Sequence, residues 1–122
     1  MNKVILMGRL TKDPEMRVGQ NGGSMASYDL AVNRQFKRDG EPDADFIRCV
    51  VFNKSAEFAN KYFRKGMMVA VVGEIRNSDW TDRNGTKHRS VDIIVSEQHF
   101  AEKKQREEFV PVEPTEGEDL PF

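Results

Sequence analysis

Apolar and polar positions alternate with period two over much of the first hundred residues, and this alternation predicts strands. The clearest case is the stretch Asp45-Phe46-Ile47-Arg48-Cys49-Val50-Val51-Phe52. Neighbouring side chains of a strand point to opposite faces. One parity collects Ile47, Cys49 and Val51, which suits a core. The other collects Phe46, Arg48, Val50 and Phe52, two large rings flanking a fixed positive charge. Six residues separate the rings, about 20 Å at ~3.3 Å per residue. A flat, cationic face studded with rings is a surface on which unpaired nucleic-acid bases stack. The alternative is a strand buried on both faces, with Arg48 paired or snorkelling.

The other elements follow from the same patterning. Residues 3–10 read as a first strand, with Val4, Leu6 and Gly8 on one face and Ile5 and Met7 on the other. Apolar residues on both faces imply cover on both sides, one from the core, and the other face permits a second subunit. Asp13-Pro14 ends the strand, residues 15–18 read as a short continuation, and Gly19-Gln20-Asn21-Gly22-Gly23 reads as a turn. Residues 24–34 form a second strand, with Ala26, Tyr28, Leu30 and Val32 on its core face. Phe36 follows, between Arg34 and the basic pair Lys37-Arg38, and a polar loop runs to Ala44. After the stretch 45–52, Asn53 or Ser55 caps a helix running through residues 56–64. Phe58 with Tyr62, and Ala59 with Phe63, form its apolar stripe. Lys61, Arg64 and Lys65 fall in its last turn, and Gly66 is the residue beyond its end. Residues 67–76 and 90–98 form the fourth and fifth strands. Between them a basic finger carries Trp80, Arg83, Lys87, His88 and Arg89, with Asn84-Gly85 at its tip. Trp80 is either displayed on that finger or pins it to the body. Five strands with a helix between the third and fourth predict an all-β fold, the five-stranded OB barrel.

Length and charge refine this picture. The 122 residues predict one domain. No apolar run approaches the ~20 residues of a membrane span, and the N-terminus is too short in apolar residues for a signal peptide. A cytoplasmic location is the expectation. Residues 1–106 hold all 19 Lys/Arg against 14 Asp/Glu, whereas residues 107–122 hold six acids and no base. A basic body with an acidic tail fits a polyanion-binding body whose tail competes for that surface or docks on a basic partner. The alternative is a tail that only aids solubility. Cys49, on a core parity, reads as a buried thiol. Neither His88 nor His99 has partners at metal-ligand spacing, and no nucleophile–base arrangement is discernible. The chain reads as a binding protein with no cofactor, not as an enzyme.

With these residues placed, the chain resembles the bacterial and phage single-stranded-DNA-binding protein family, in particular members from Gram-positive bacteria and their phages. The resemblance rests on residues 2–15 (Asn2-Lys3-Val4-Ile5-Leu6-Met7-Gly8-Arg9 onward), Asn21-Gly22-Gly23, residues 44–52, Tyr62-Phe63-Arg64-Lys65-Gly66, Trp80-Thr81-Asp82 with Gly85, and Asp119-Leu120-Pro121-Phe122. It implies an OB-fold domain over 1–100, a solvated linker over 101–117 and an acidic-aromatic tip over 118–122. It further implies a homotetramer at the nucleoid, serving DNA replication, recombination and repair. The implied stacking residues are Phe36, Phe46, Phe52 and Trp80; the family often has tryptophan at the first three. The implied phosphate contacts are Arg9, Arg34, Arg48, Lys54 and Arg76. The implied partner-binding residues are Glu118, Asp119, Leu120, Pro121 and Phe122, with Leu120 where isoleucine is common. Residues 109–117 are shorter than the family's usual linker, which implies a tip of shorter reach. An RNA-binding OB module and a protein-interaction adaptor of primosome type are the competing readings.

Overall fold

The computed structural model describes residues 1–102. Its elements are β1 (Val4–Leu10), β2 (Glu15–Val18), β3 (Ser24–Asn33), β4 (Ala44–Phe52), α1 (Lys54–Tyr62), β5 (Met68–Thr81) and β6 (Lys87–Phe100). The strands run β1-β5-β6-β4-β3-β2 across the sheet, and β1 also pairs with β3 at Arg9↔Ala31 and Leu10↔Leu30. That last pairing closes β1, β3, β4, β5 and β6 into a ring, with β2 attached to the outer edge of β3. In chain order α1 separates the third and fourth strands of the ring, as expected for an OB barrel. Only the β4–β6 pairing is parallel.

One parity of each strand fills the interior. Leu10, Ala26, Tyr28, Leu30, Cys49, Val51, Val69, Val71, Ile93 and Val95 form one cluster, plugged from below by Ala56, Ala59 and Phe63. The buried Tyr28 hydroxyl donates to Gln98 Oε1 at 2.7 Å, and Gln98 Nε2 donates to the Ser55 carbonyl at 2.8 Å. Burial raises the pKa of the Tyr28 phenol and pushes the Cys49 thiol up to about 12, with Asp29 and Asp92 adding to the latter. Cys49 is therefore a protonated core thiol at neutral pH, not a nucleophile.

Several boundaries differ from those the sequence predicts. Residues 15–18 do not continue β1; they turn back to pair with β3, with Val18 opposite Ser24 across the glycine-rich turn. α1 begins at Lys54 and ends at Tyr62, because Phe63 adopts an extended backbone and buries its ring. Arg64 and Lys65 thus lie beyond the last turn. Arg64 still serves that helix end, donating through Nη1 to the carbonyls of Asn60 (2.7 Å) and Phe63 (2.6 Å). Gly66 does have a positive φ, but in a turn whose N–H donates to the Leu10 carbonyl. Asn53 precedes α1 without a side-chain capping bond. The finger is no loop: β5 and β6 remain paired out to Thr81↔Lys87, leaving only a short tip. Val50, on the outward parity of β4, is nonetheless buried. No helix among the described residues is long and apolar enough to cross a membrane. Residues 103–122 lie outside the described residues, and with them most of the expected linker and the tip Glu118, Asp119, Leu120, Pro121 and Phe122.

Ring closure leaves no room for a Cβ at two glycines. A Cβ on Gly8 would stand 2.6 Å from the Ala31 carbonyl oxygen, and one on Gly73 would strike the Ile94 carbonyl beside the bulge in the β5–β6 ladder. Both obstacles are backbone, so relief requires parting the strands. Gly8→Ala and Gly73→Ala should each cost on the order of 1–3 kcal/mol in urea unfolding, as overpacking substitutions do. Denaturation midpoints matching the unsubstituted chain would contradict this closure.

Candidate nucleic-acid interface

Strand register, not proximity in sequence, assembles the outward face. Asp29 of β3 lies opposite Arg48 of β4, Arg48 opposite Asp92 of β6, and Asp92 opposite Arg76 of β5. These four form a row of alternating charge across the sheet. Arg48 Nη1 lies 3.1 Å from Asp92 Oδ2. Phe46 and Trp80 lie on the same parity toward one end of this row, and Phe52 lies toward the other. Phe46 is 70% exposed, Trp80 51% and Phe52 45%, so all three rings are available from solvent. Phe36 stands off the sheet in the β3–β4 loop, at the Phe46 end, and is highly exposed.

The five expected phosphate contacts divide differently. Arg9 is on the outward side of β1, beside Ala31, which itself faces Phe46. Its guanidinium donates to the Gly66 carbonyl (2.8 Å) and to Glu102 Oε1 (3.0 Å). Arg34 grips Asp45 at 2.8 Å and Glu41 at 3.4 Å, fastening the base of the loop that carries Phe36; the hydrogen bond to Asp45 raises its pKa. Arg76 pairs with Glu74 at 2.7 Å. Lys54, the first residue of α1, has no carboxylate partner among the described residues. Four of the five cations therefore already hold carboxylates. Exposed pairs of this kind are worth little in water, so a phosphate can exchange into them.

The register adds two residues that inspection of the sequence passed over. Arg17 of β2 lies opposite Met25 of β3, and Met25 lies opposite Phe52. Arg17 is exposed, and no carboxylate among the described residues pairs with it. Counting outward from the turn at residues 19–23 would have revealed the pairing, since 18 meets 24 and 17 meets 25.

Trp80 neither points freely into solvent nor pins the hairpin to the barrel. It stacks on His88 of its own hairpin, with ring centres 4.3 Å apart and planes within 20°, and donates through Nε1 to Ser90 Oγ at 3.3 Å. One ring face is thus spoken for and the remainder is open. His88 Nε2 meets Asp82 Oδ2 at 2.8 Å, while Asp82 Oδ1 accepts from the Asn84 and Thr86 amides at 2.9 Å each. The His88 hydrogen bond, seconded by these amides, holds the Asp82 carboxyl below the usual carboxylate range. A recess of about 520 Å³ runs beside Trp80, between Asp79, Thr81, Lys87, His88 and Arg89. Among the described residues no cluster of His, Cys, Asp or Glu is arranged to hold a metal ion. The arrangement offers stacking surfaces and exchangeable cations.

A depressed carboxyl contributes order that is complete above its unfolded value and is lost as pH falls through its folded value. The tip should therefore stay ordered down to about pH 4 and loosen only in stronger acid. Amide exchange at Asn84 and Thr86 reads this directly, and Asp82→Ala should accelerate it at neutral pH. Unchanged exchange in that variant would contradict the role given to Asp82.

The model of the single-strand binding protein family matches residues 1–101. A single-stranded DNA-binding protein of Clostridium perfringens is 46% identical over 101 residues, covering 82% of this chain and 65% of that protein. Single-stranded DNA-binding protein 3 of Clostridium acetobutylicum is 43% identical over 103 residues, 84% of this chain and 72% of its own length. Single-stranded DNA-binding protein 1 of Staphylococcus aureus is 39% identical over 109 residues, 88% and 70% respectively. The chain thus spans just under two thirds of the first of these relatives. With the family match extending over the whole barrel, this chain belongs to the single-strand binding protein family.

Proposed function

We propose that this chain binds single-stranded DNA without sequence preference, as a non-catalytic protein. The observation that carries the reading is the shared outward parity of Phe46, Phe52 and Trp80, with Arg48 and Arg76 between them. The relatives' names, which state single-stranded DNA binding, support it. Unpaired bases lie against the rings, and phosphates displace carboxylates from the arginines. Single-stranded-DNA-binding proteins as a class gain ~1–3 kcal/mol per stacked base. Each phosphate neutralised adds ~−0.7 to the salt slope, less whatever Asp29, Asp92 and Glu74 retain. Duplex DNA, its bases already stacked, competes poorly. In the cell the protein holds unwound strands open during replication, recombination and repair, in the cytoplasm at the nucleoid. It recruits partner proteins through Glu118, Asp119, Leu120, Pro121 and Phe122.

A homotetramer completes the proposal. Ile5 and Met7 are 70% and 57% exposed on the outer side of β1, a large apolar outlay for a free surface. The pairing of β1 with β3 is confined to Arg9 and Leu10, so residues 4–8 keep an open edge as well.

Titrating labelled oligo-dT, followed by anisotropy and Trp80 quenching, tests the reading. Tight binding with quenching is expected. Phe46→Ala and Trp80→Ala should each weaken it about 5- to 150-fold, the equivalent of ~1–3 kcal/mol. Removing residues 118–122 should leave affinity equal or higher, because a competing polyanion goes. Equal affinity for duplex contradicts the proposal, preferential binding of matched RNA favours an RNA module, and indifference to both alanine variants favours a protein adaptor. Light scattering should give four copies, and Ile5→Glu with Met7→Glu should give fewer.

A further inference from the structure

We propose that His88 and Asp82 are positioning residues for Trp80: they hold the indole with one face covered and present the other face to a single nucleobase. The inference rests on the single-stranded-DNA reading above and names what readies one of its rings.

Trp80 stands where the fold does least to hold a side chain. β1 accompanies β5 only as far as Gly73, so the outer part of β5 pairs with β6 alone. Every residue from Ile75 to Thr81 is exposed. A two-stranded ribbon without a layer behind it is marginal in water. Its order rests on cross-strand side-chain pairs. The residue directly opposite Trp80 is His88.

That pair is fixed from both sides. The two rings lie 4.3 Å apart with planes within 20°. An ionised carboxylate only accepts, so His88 Nε2 carries the hydrogen and donates it to Asp82 Oδ2 at 2.8 Å. Asp82 is tied in turn to the tip backbone, its Oδ1 accepting from the Asn84 and Thr86 amides. The hold thus runs from the backbone through Asp82 and His88 to the indole face. Trp80 Nε1 adds a second point, donating to Ser90 Oγ at 3.3 Å. The other two rings of the face lack such backing across β3: Phe46 lies opposite Ala31 and Phe52 opposite Met25.

Two consequences follow for the ligand. With one face closed, the indole takes one base and is not sandwiched between two. With Nε1 committed to Ser90, it has no donor left to read a base edge, which suits binding without sequence preference. The indole is ordered on folding and not on binding, so the entropy of immobilising it is not lost when a base arrives.

Trp80 is the only tryptophan of the chain, so its fluorescence reports this ring alone. Time-resolved anisotropy of the protein without DNA should show the indole tumbling with the barrel. His88→Ala should add a fast local component. His88→Phe keeps a ring and His88→Gln keeps a donor for Asp82; the phenylalanine should retain more of the indole's order. His88→Ala should weaken oligo-dT binding about 2- to 10-fold, the cost of immobilising one freed side chain. In a Trp80→Ala background the same substitution should cost nothing, because His88 acts through the indole. An indole equally ordered in His88→Ala would overturn the proposal. Order restored by glutamine and not by phenylalanine would overturn it too, by making His88 a tie within the hairpin. An undiminished cost in the Trp80→Ala background would assign His88 a base contact of its own and overturn the positioning role. The anisotropy uses no DNA, so a chain that binds no oligo-dT would refute the function proposed above while the hold on Trp80 is still judged.

Discussion

The register between β3, β4 and β6 is the constraint on which the rest depends. It places Asp29, Arg48 and Asp92 side by side and so decides which parity of β4 faces out. Side-chain direction alternates strictly along a strand, so a slip of one residue would exchange the two sets. Phe46, Arg48 and Phe52 would enter the core, and Ile47, Cys49 and Val51 would meet water. The buried set, with Cys49 and Val51 fully enclosed, forbids that exchange energetically. The aromatic face is thus held open by the packing behind it. Gly8 and Gly73 contribute from farther away, since the close approaches they permit let the ring shut.

That face is less positive than its arginines imply. Arg48 and Arg76 stand in a row with Asp29 and Asp92, and Glu74 takes Arg76 as well. Charge neutralised within the sheet cannot hold phosphate without first giving up a carboxylate. The rings face no such competition, apart from the side of Trp80 that lies on His88. For the binding proposed above, stacking would lead and electrostatics follow, a balance suited to ligands that differ in sequence yet always expose bases. Lys54 and Lys61, which have no carboxylate partner among the described residues, lie on α1, where the barrel's other aromatic cluster is found.

Much of this was legible in the sequence. The two-faced pattern of residues 45–52, the helix after the third strand and the five-strand order each appear in the structure, because binary patterning directly encodes which side is buried. The length of the β5–β6 hairpin was not, because its outer residues from Asn77 to Thr81 are polar apart from Trp80 and show no apolar alternation. The end of α1 is hidden because Phe63 keeps helical spacing while leaving the helix to reach the core. The ion pairs were out of reach altogether. Arg48 and Asp92 are 44 positions apart, and only the parallel β4–β6 pairing brings them together. Arg17 lay closer to hand, hidden by reading residues 15–18 as an extension of β1 when they form one arm of a hairpin.

In the proposed complex, bases lie on one sheet face. Photocrosslinking with iodouridine-substituted oligo-dT, mapped by mass spectrometry of the adducts, addresses it most directly. Adducts at Phe46, Phe52 and Trp80 are the predicted result. Adducts confined to the β1 surface around Ile5 and Met7, or to Tyr62 and Phe100, would contradict it.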